Sequence, residues 1–218
     1  AGSPAVRKLC TSERIDQAIY AKEHSMFSHR CFLTAGLVLL FAGFALGQHV
    51  MATIDVGRGP SAIVYDSIND KIFVASAGTN TVTVVDPDTN TVTATIPVGQ
   101  HPLALGWNPV HGKIYTADAV LAAPGTITVI DAAGDSVITT LNTGQAPAGF
   151  AWNPTQGKIY CINRENSNIT VVDGNEDIVI GTIWLEDIFN EVIYNPTNDY
   201  LYAVSGAYRQ PGKLWVID

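Results

Sequence analysis

The sequence predicts an all-β fold, a β-propeller of four-stranded antiparallel blades with about four blades in this chain, and three observations carry that expectation. The first is a fourfold repeat in which a short apolar run, starting at or near a lysine, leads to a β-branched run ending in aspartate. Lys71-Ile72-Phe73-Val74-Ala75 leads to Thr81-Val82-Thr83-Val84-Val85-Asp86, and Lys113-Ile114-Tyr115-Thr116-Ala117 leads to Thr126-Ile127-Thr128-Val129-Ile130-Asp131. Lys158-Ile159-Tyr160-Cys161-Ile162 leads to Asn168-Ile169-Thr170-Val171-Val172-Asp173, and Tyr200-Leu201-Tyr202-Ala203-Val204 leads to Leu214-Trp215-Val216-Ile217-Asp218. The first runs start at 71, 113, 158 and 200, in steps of 42, 45 and 42; the closing aspartates stand at 86, 131, 173 and 218, in steps of 45, 42 and 45. This is the ~40 to 45 residue pitch of a four-stranded blade, and the extra residues fall in one connection, residues 119–125 and 206–212, where a repeat array tolerates them. The second observation is that Thr and Val fill both pleat faces of the runs, as in a sheet covered on both sides by neighbouring sheets. The third is that helical periodicity is absent after residue 50.

The second unit gives the strand order. Residues 103–107 form strand one, ended by Asn108-Pro109; residues 113–117 form strand two, 126–130 strand three and 137–141 strand four. Asn-Pro recurs after strand one at Asn153-Pro154 and Asn195-Pro196, with Asp66-Ser67 in the first unit, because proline presets a turn and Asn or Asp bonds nearby amides. The aspartates that close strand three suit the first position of a β-turn, and one per blade places them too far apart to share a metal. Gly57-Arg58-Gly59-Pro60, Gly99-Gln100-His101-Pro102 and Gly144-Gln145-Ala146-Pro147 mark tight blade-to-blade crossings. The fourth crossing reads Glu186-Asp187-Ile188-Phe189, so its conformation should differ, and its carboxylates have no base nearby in sequence. Val50-Met51-Ala52-Thr53-Ile54-Asp55 aligns with Thr91-Val92-Thr93-Ala94-Thr95-Ile96 as a strand four. That makes sixteen strands, with the first able to complete the last blade and so to hide sheet edges.

Composition narrows the function classes. At 218 residues, 47% hydrophobic and 15% charged, the chain can bury a sizeable core; a net charge of -8 and a pI near 4.9 argue against nucleic acid as a partner. Cys161 stands alone within the repeats, so no disulfide framework is expected and it reads as a small buried hydrophobe. Residues 32–46 carry no charge, follow His29-Arg30 and precede Ala45-Leu46-Gly47, which together read as a signal peptide starting at Met26 and cleaved before Gln48. The expected division is residues 1–25 as an upstream segment extending the gene model, 26–47 as the signal and 48–218 as the propeller. An uncleaved anchor is the alternative, and it is the one route to membrane contact. The expected location is therefore periplasmic, extracellular or cell-surface.

Chemistry is hard to find in the repeats. No His-x-x-x-His, Cys-x-x-Cys, Gly-x-Ser-x-Gly or phosphate-binding loop occurs, and His101 and His111 fall at different parts of the blade. No catalytic, cofactor-binding or metal-binding residue is therefore assigned, and no cofactor is expected. Lys71, Lys113 and Lys158 begin strand two at equivalent positions and either form a partial basic ring for an anion or sit solvated beside a turn. Trp107, Trp152 and Tyr194 end strand one in register, which is a packing position. The better contact candidates are loop residues: Tyr208 and Arg209 in the extended fourth loop, Leu121 in the second, and His101 in a crossing.

The β-branched run before Asp, the Gly-x-x-Pro crossing, the Asn-Pro turn and the Lys-Ile-Tyr strand together resemble the YVTN-type β-propeller repeats of secreted and cell-surface proteins, over residues 50–218. That resemblance implies seven-bladed closed rings, of which this chain would be a fragment. The expected function is a non-catalytic binding module for a protein or surface polymer. The alternative is a propeller enzyme or enzyme subunit, lactonase-like or dehydrogenase-associated, with its site in the central channel.

Overall fold

The computed structural model describes residues 49–206 and 211–218. The apolar run 32–46, the segment 1–25, and Tyr208 and Arg209 lie outside the described residues. The chain divides into two units, Ala1–Thr53 and Ile54–Asp218. In the first, the described residues 49–53 carry no secondary structure.

The second unit holds fifteen strands in four antiparallel sheets. Blade 1 is β1 Pro60–Asp66, β2 Lys71–Ser76, β3 Thr81–Asp86 and β4 Thr91–Pro97; blade 2 is β5 Pro102–Asn108, β6 Lys113–Asp118, β7 Pro124–Asp131 and β8 Ser136–Gln145. Blade 3 is β9 Pro147–Asn153, β10 Lys158–Asn163, β11 Asn168–Asp173 and β12 Ile178–Trp184, and blade 4 has three strands, β13 Phe189–Asn195, β14 Tyr200–Ser205 and β15 Lys213–Ile217. Each strand pairs only with its neighbours in sequence. The strands fall where the repeat places them, within a residue or two except at β8, which runs on into the crossing at Gly144-Gln145.

Alternation explains why the runs are apolar throughout. Phe73, Ala75, Val82 and Val84 of blade 1 pack against Ile114 and Ile130 of blade 2, all fully buried. Tyr115, Ala117, Ile127 and Val129 of blade 2 meet Ile159, Cys161 and Val172 of blade 3, and Tyr160, Ile162, Ile169 and Val171 of blade 3 meet Val192, Leu201 and Ala203 of blade 4. One pleat face of a blade thus points to the blade before and the other to the blade after, each fully buried aliphatic or aromatic side chain contributing ~1.5–3 kcal/mol. Trp107, Trp152 and Tyr194 lie against these three cores, as their register requires. Cys161 is fully buried, and burial raises its thiol pKa, so it packs as a hydrophobe.

The turns follow their residues. Asp66 accepts the Ile68 amide at 2.9 Å, Asn108 those of Val110 and His111, Asn153 those of Thr155 and Gln156, and Asn195 that of Thr197. After strand three, Asp86 accepts the Asp88 amide, Asp131 that of Ala133, and Asp173 those of Asn175 and Glu176. These amides hold the Asp86 and Asp173 carboxyls below the usual range, joined at Asp86 by the Thr89 hydroxyl as the largest contribution.

Three possibilities that the sequence raises are not met. Residues 50–55 form no strand, so the count among the described residues is fifteen and the last sheet has three strands. Their alternation marks them as fit for a sheet, but alternation names no partner, and an unpaired extended segment has nothing to bond its amides. Second, the four blades do not close: innermost strands pack β1 to β5, β5 to β9 and β9 to β13, with no comparable packing from β13 to β1 among the described residues. The four blades form an open arc. Third, the lysines form no anion-binding ring. Lys71 Nζ donates to the carbonyls of Ala132 and Ala133 and to Asp135 Oδ1 at 2.9 Å, and Lys113 Nζ donates to the carbonyls of Gly174 and Asn175 and to Asp177 Oδ2 at 2.7 Å. Each latches its blade to the β-turn of the next, which spends its donors on protein oxygens.

Candidate functional site

The two ends of the blades differ in kind. At one end lie the short Asx-capped turns, which recur from blade to blade, and the two lysine latches. At the other lie the crossings and the connections between second and third strands, whose lengths vary. His101 and Leu121 share this variable end, and the candidates Tyr208 and Arg209 lie outside the described residues. His111 is at the opposite end, its Nδ1 3.3 Å from Asn108 Nδ2.

Backbone bonds lock each crossing to the loop of its own blade. Ala77 and Gly78 donate to the carbonyls of Gly59 and Arg58, Ala119 donates to that of His101, Arg164 and Glu165 to those of Ala146 and Gln145, and Gly206 to that of Ile188. Asn side chains add to this: Asn166 accepts the Gln145 amide within blade 3, and Asn80 of the blade 1 loop accepts the His101 amide at 2.9 Å, tying the second crossing to the preceding blade as well. The variable loops are therefore seated on a rigid frame, the arrangement in which loop residues serve recognition.

The third residue of each of the first three crossings is left-handed: Gly59 at φ 62°, His101 at 44° and Ala146 at 52°. Ile188 in the fourth is not. Only glycine takes that conformation without a Cβ penalty, so Ala146→Gly should raise stability by about 0.5–1 kcal/mol, measured by chemical denaturation.

Beneath the crossings runs a row of buried polar residues that the sequence reading passed over: Ser76, Asp118, Asn163 and Ser205, each closing a second strand. Its signal was available, since in every unit a polar residue follows the apolar second-strand run in phase. The row explains the first glycine of the crossings. A Cβ on Gly99 would lie 2.6 Å from Asp118 Cβ, on Gly57 2.6 Å from Ser76 Cβ, and on Gly144 2.8 Å from Asn163 Cβ. In the fourth crossing, which has no such glycine, Asp187 accepts the Ser205 hydroxyl at 2.8 Å and the Ile188 amide at 2.9 Å, and Lys213 Nζ stands 3.9 Å away. The Ser205 hydroxyl, first, and the Ile188 amide hold Asp187 below the usual carboxylate range. Its base comes from a distant strand, which proximity in sequence could not reveal. Trp215 Nε1 donates to Ser205 Oγ at 2.8 Å and completes the cluster.

Asp118 is the one buried carboxylate of the row. Its Oδ1 accepts the Thr116 hydroxyl at 2.7 Å and its Oδ2 accepts those of Thr128 at 2.6 Å and Thr126 at 3.4 Å. Burial raises its pKa, against the pull of these hydroxyls. Three neutral donors and no cation make a structural group rather than a general acid, because its oxygens are spent within the blade.

The surface of this end is mixed. Leu121 is 88% exposed and Trp184, at the end of β12, is 72% exposed, with Ile188 also open to solvent. Trp184 was not among the expected residues, since it falls where other units carry Asn142 or Pro97 and breaks the pattern rather than repeating it. Among the described residues no group of three His, Cys, Asp or Glu is arranged to hold a metal ion.

No family model matches the sequence, and no curated protein matches it. Among solved structures the chain is similar to Kuenenia stuttgartiensis hydrazine synthase, with a TM-score of 0.64 and 22% identity, over 78% of this chain and 48% of that one. It is also similar to U3-55K and to the RRP9 WD40 repeats, each with a TM-score of 0.60 and 12% identity over 77% of this chain, covering 54% and 53% of theirs. At these identities the likeness establishes the fold, a β-propeller. The chain spans about half the length of the solved chains it matches.

Proposed function

We propose that this chain is a propeller of the YVTN type, exported to the cell envelope or surface, where it acts as a non-catalytic binding module for a protein or surface polymer. The observation that carries the reading is the loop-bearing end. Leu121 in the second loop, Trp184 at the end of β12 and Ile188 in the fourth crossing expose apolar surface there, and hydrogen bonds hold the crossings to the loops. Exposed aromatic and aliphatic groups on a fixed frame bind at low entropic cost, because little is immobilised on association.

The test compares wild type with a variant carrying His101→Ala, Leu121→Ala, Tyr208→Ala and Arg209→Ala, for binding to envelope material of the producing cell. Binding should weaken at least tenfold with the melting temperature unchanged, since surface substitutions of this kind shift stability by less than ~0.5 kcal/mol. Equal binding removes these four residues from the reading, and equal binding after Trp184→Ala and Ile188→Ala are added removes this end. Export is tested separately by the mass of the mature N-terminus, expected at Gln48.

A further inference from the structure

β4, β8 and β12 are each the last strand of a sheet, so one edge of each pairs with no strand. Val137 and Ile138 of β8 are 42% and 47% exposed although blade 2 is packed on both sides, and Val179 and Ile180 of β12 are 40% and 46% exposed at the equivalent positions. Exposure here belongs to the rim of the blades and not to an open face. Native sheets blunt such edges with charge, proline or a bulge. β4 closes on Pro97, which has no amide to offer, and β8 carries Asn142 at that place. β12 carries Trp184 there, and its seven residues, Ile178–Trp184, include neither charge nor proline. Leu185 donates its amide to the Ser167 carbonyl. Alternation along the antiparallel pair then turns the backbone groups of Ile183 and Gly181 toward β11 and those of Thr182 and Trp184 outward, joined by Ile180, the bulged residue with no partner on β11.

We propose that the rim edge of β12 is a β-augmentation site that takes an extended segment of a partner protein, apolar and β-branched along its middle and basic at both ends. Ile178, Ile180 and Trp184 are exposed, and an incoming strand of valine or isoleucine covers them in cross-strand pairs while its backbone bonds the outward groups of Ile180, Thr182 and Trp184. A Cβ on Gly181 would meet nothing within 4 Å, which leaves room for a large side chain on the incoming strand. The run is bounded by Glu176 and Glu186, both exposed, which complement lysine or arginine at the ends of that strand. The same two glutamates disfavour a second copy as the occupant, since antiparallel pairing of two β12 strands about Gly181 sets Glu186 of each opposite Glu176 of the other. Trp184 also belongs to the loop-bearing end, but the backbone of Ile180 and Thr182 belongs to the edge alone, so each surface can be disabled without the other.

Titration of the full chain with a synthetic peptide tests this, the peptide alternating valine and threonine over the length of β12 with a lysine added at each end. The peptide should bind wild type. Thr182→Pro, which removes only an outward amide, and Ile180→Lys, which sets a charge on the rim, should each weaken binding at least tenfold with an unchanged circular dichroism spectrum. The same peptide with glutamate at each end should bind at least tenfold more weakly at low salt, the difference shrinking as salt rises. No binding of the lysine-ended peptide overturns the proposal, as does binding that either folded variant leaves intact. Equal binding of the glutamate-ended peptide overturns the basic ends. A wild type that sediments as a dimer, and as a monomer after Thr182→Pro, overturns the proposal in favour of a second copy on the edge.

Discussion

Lys113→Met should lower stability by about 3 kcal/mol, Lys71→Met by about 1 kcal/mol, and Lys158→Met by less than ~0.5 kcal/mol, the order following how each ammonium is partnered. Lys113 and Asp177 are 13% and 9% exposed and meet at 2.7 Å, so removing the cation strands a shielded carboxylate. The Tyr115 hydroxyl also donates to that carboxylate, at 3.0 Å from a fully buried ring, so the damage extends into the core between blades 2 and 3. Lys71 and Asp135 make the same contact with 21% exposure each, and water takes up more of the loss. Lys158 donates to Gln156 Oε1 at 2.7 Å, within its own turn, and latches no second blade among the described residues. Denaturant midpoints of the three variants decide the matter, and equal losses would mean that the contacts of Lys71 and Lys113 to a second blade add nothing to stability. A cycle with Asp177→Asn isolates the pair, since coupling should vanish once either charge is gone.

The blades were legible in the sequence because each is local. A four-stranded meander needs only period-two alternation and turn residues at fixed offsets, and both are written in every unit, from Asn108-Pro109 to the closing Asp131. What failed was long-range. Residues 50–55 have the alternation of a strand, but whether a strand forms depends on an edge some 160 residues away in the sequence, and alternation carries no address. The lysines failed for a related reason: a residue beside a turn looks solvated until the next blade's turn is known to lie 2.7–2.9 Å from its nitrogen. At the loop-bearing end, Leu121 was found through a departure in loop length and His101 through its place in a crossing, whereas Trp184 sits on a strand and needed its exposure to stand out. The buried polar row was missed because its members differ, Ser, Asp, Asn and Ser, while their place in the repeat is constant.

That constancy makes Asp118→Asn a stabilising substitution, by about 2 kcal/mol at pH 7, because it removes a buried charge and keeps the hydrogen bonds. Blade 3 already contains the product. Asn163 occupies the same position, its Nδ2 donating to Thr170 Oγ1 and Asn168 Oδ1 at 2.8 Å and its Oδ1 accepting the Thr143 hydroxyl at 2.8 Å. Thr128 and Thr126 stand at the places of Thr170 and Asn168, so an amide at 118 finds acceptors where the carboxylate finds donors once the hydroxyls rotate. The sign of the pH dependence follows from burial, which raises the Asp118 pKa in the folded state. A raised carboxyl binds its proton more tightly when folded, so its contribution is full below the unfolded pKa and is lost as pH rises through the folded one. The Asn variant keeps its contribution throughout. The stability difference between variant and wild type should therefore be smallest in acid and grow toward neutrality, even though Asp86, Asp173 and Asp187, whose pKa values are lowered, make both proteins weaker in acid. Denaturation of both proteins across that range reads the difference directly. A variant no more stable than wild type at pH 7 would mean that the three threonine hydroxyls compensate the buried charge in full, and that the acid at 118 is as well housed as the amide at 163.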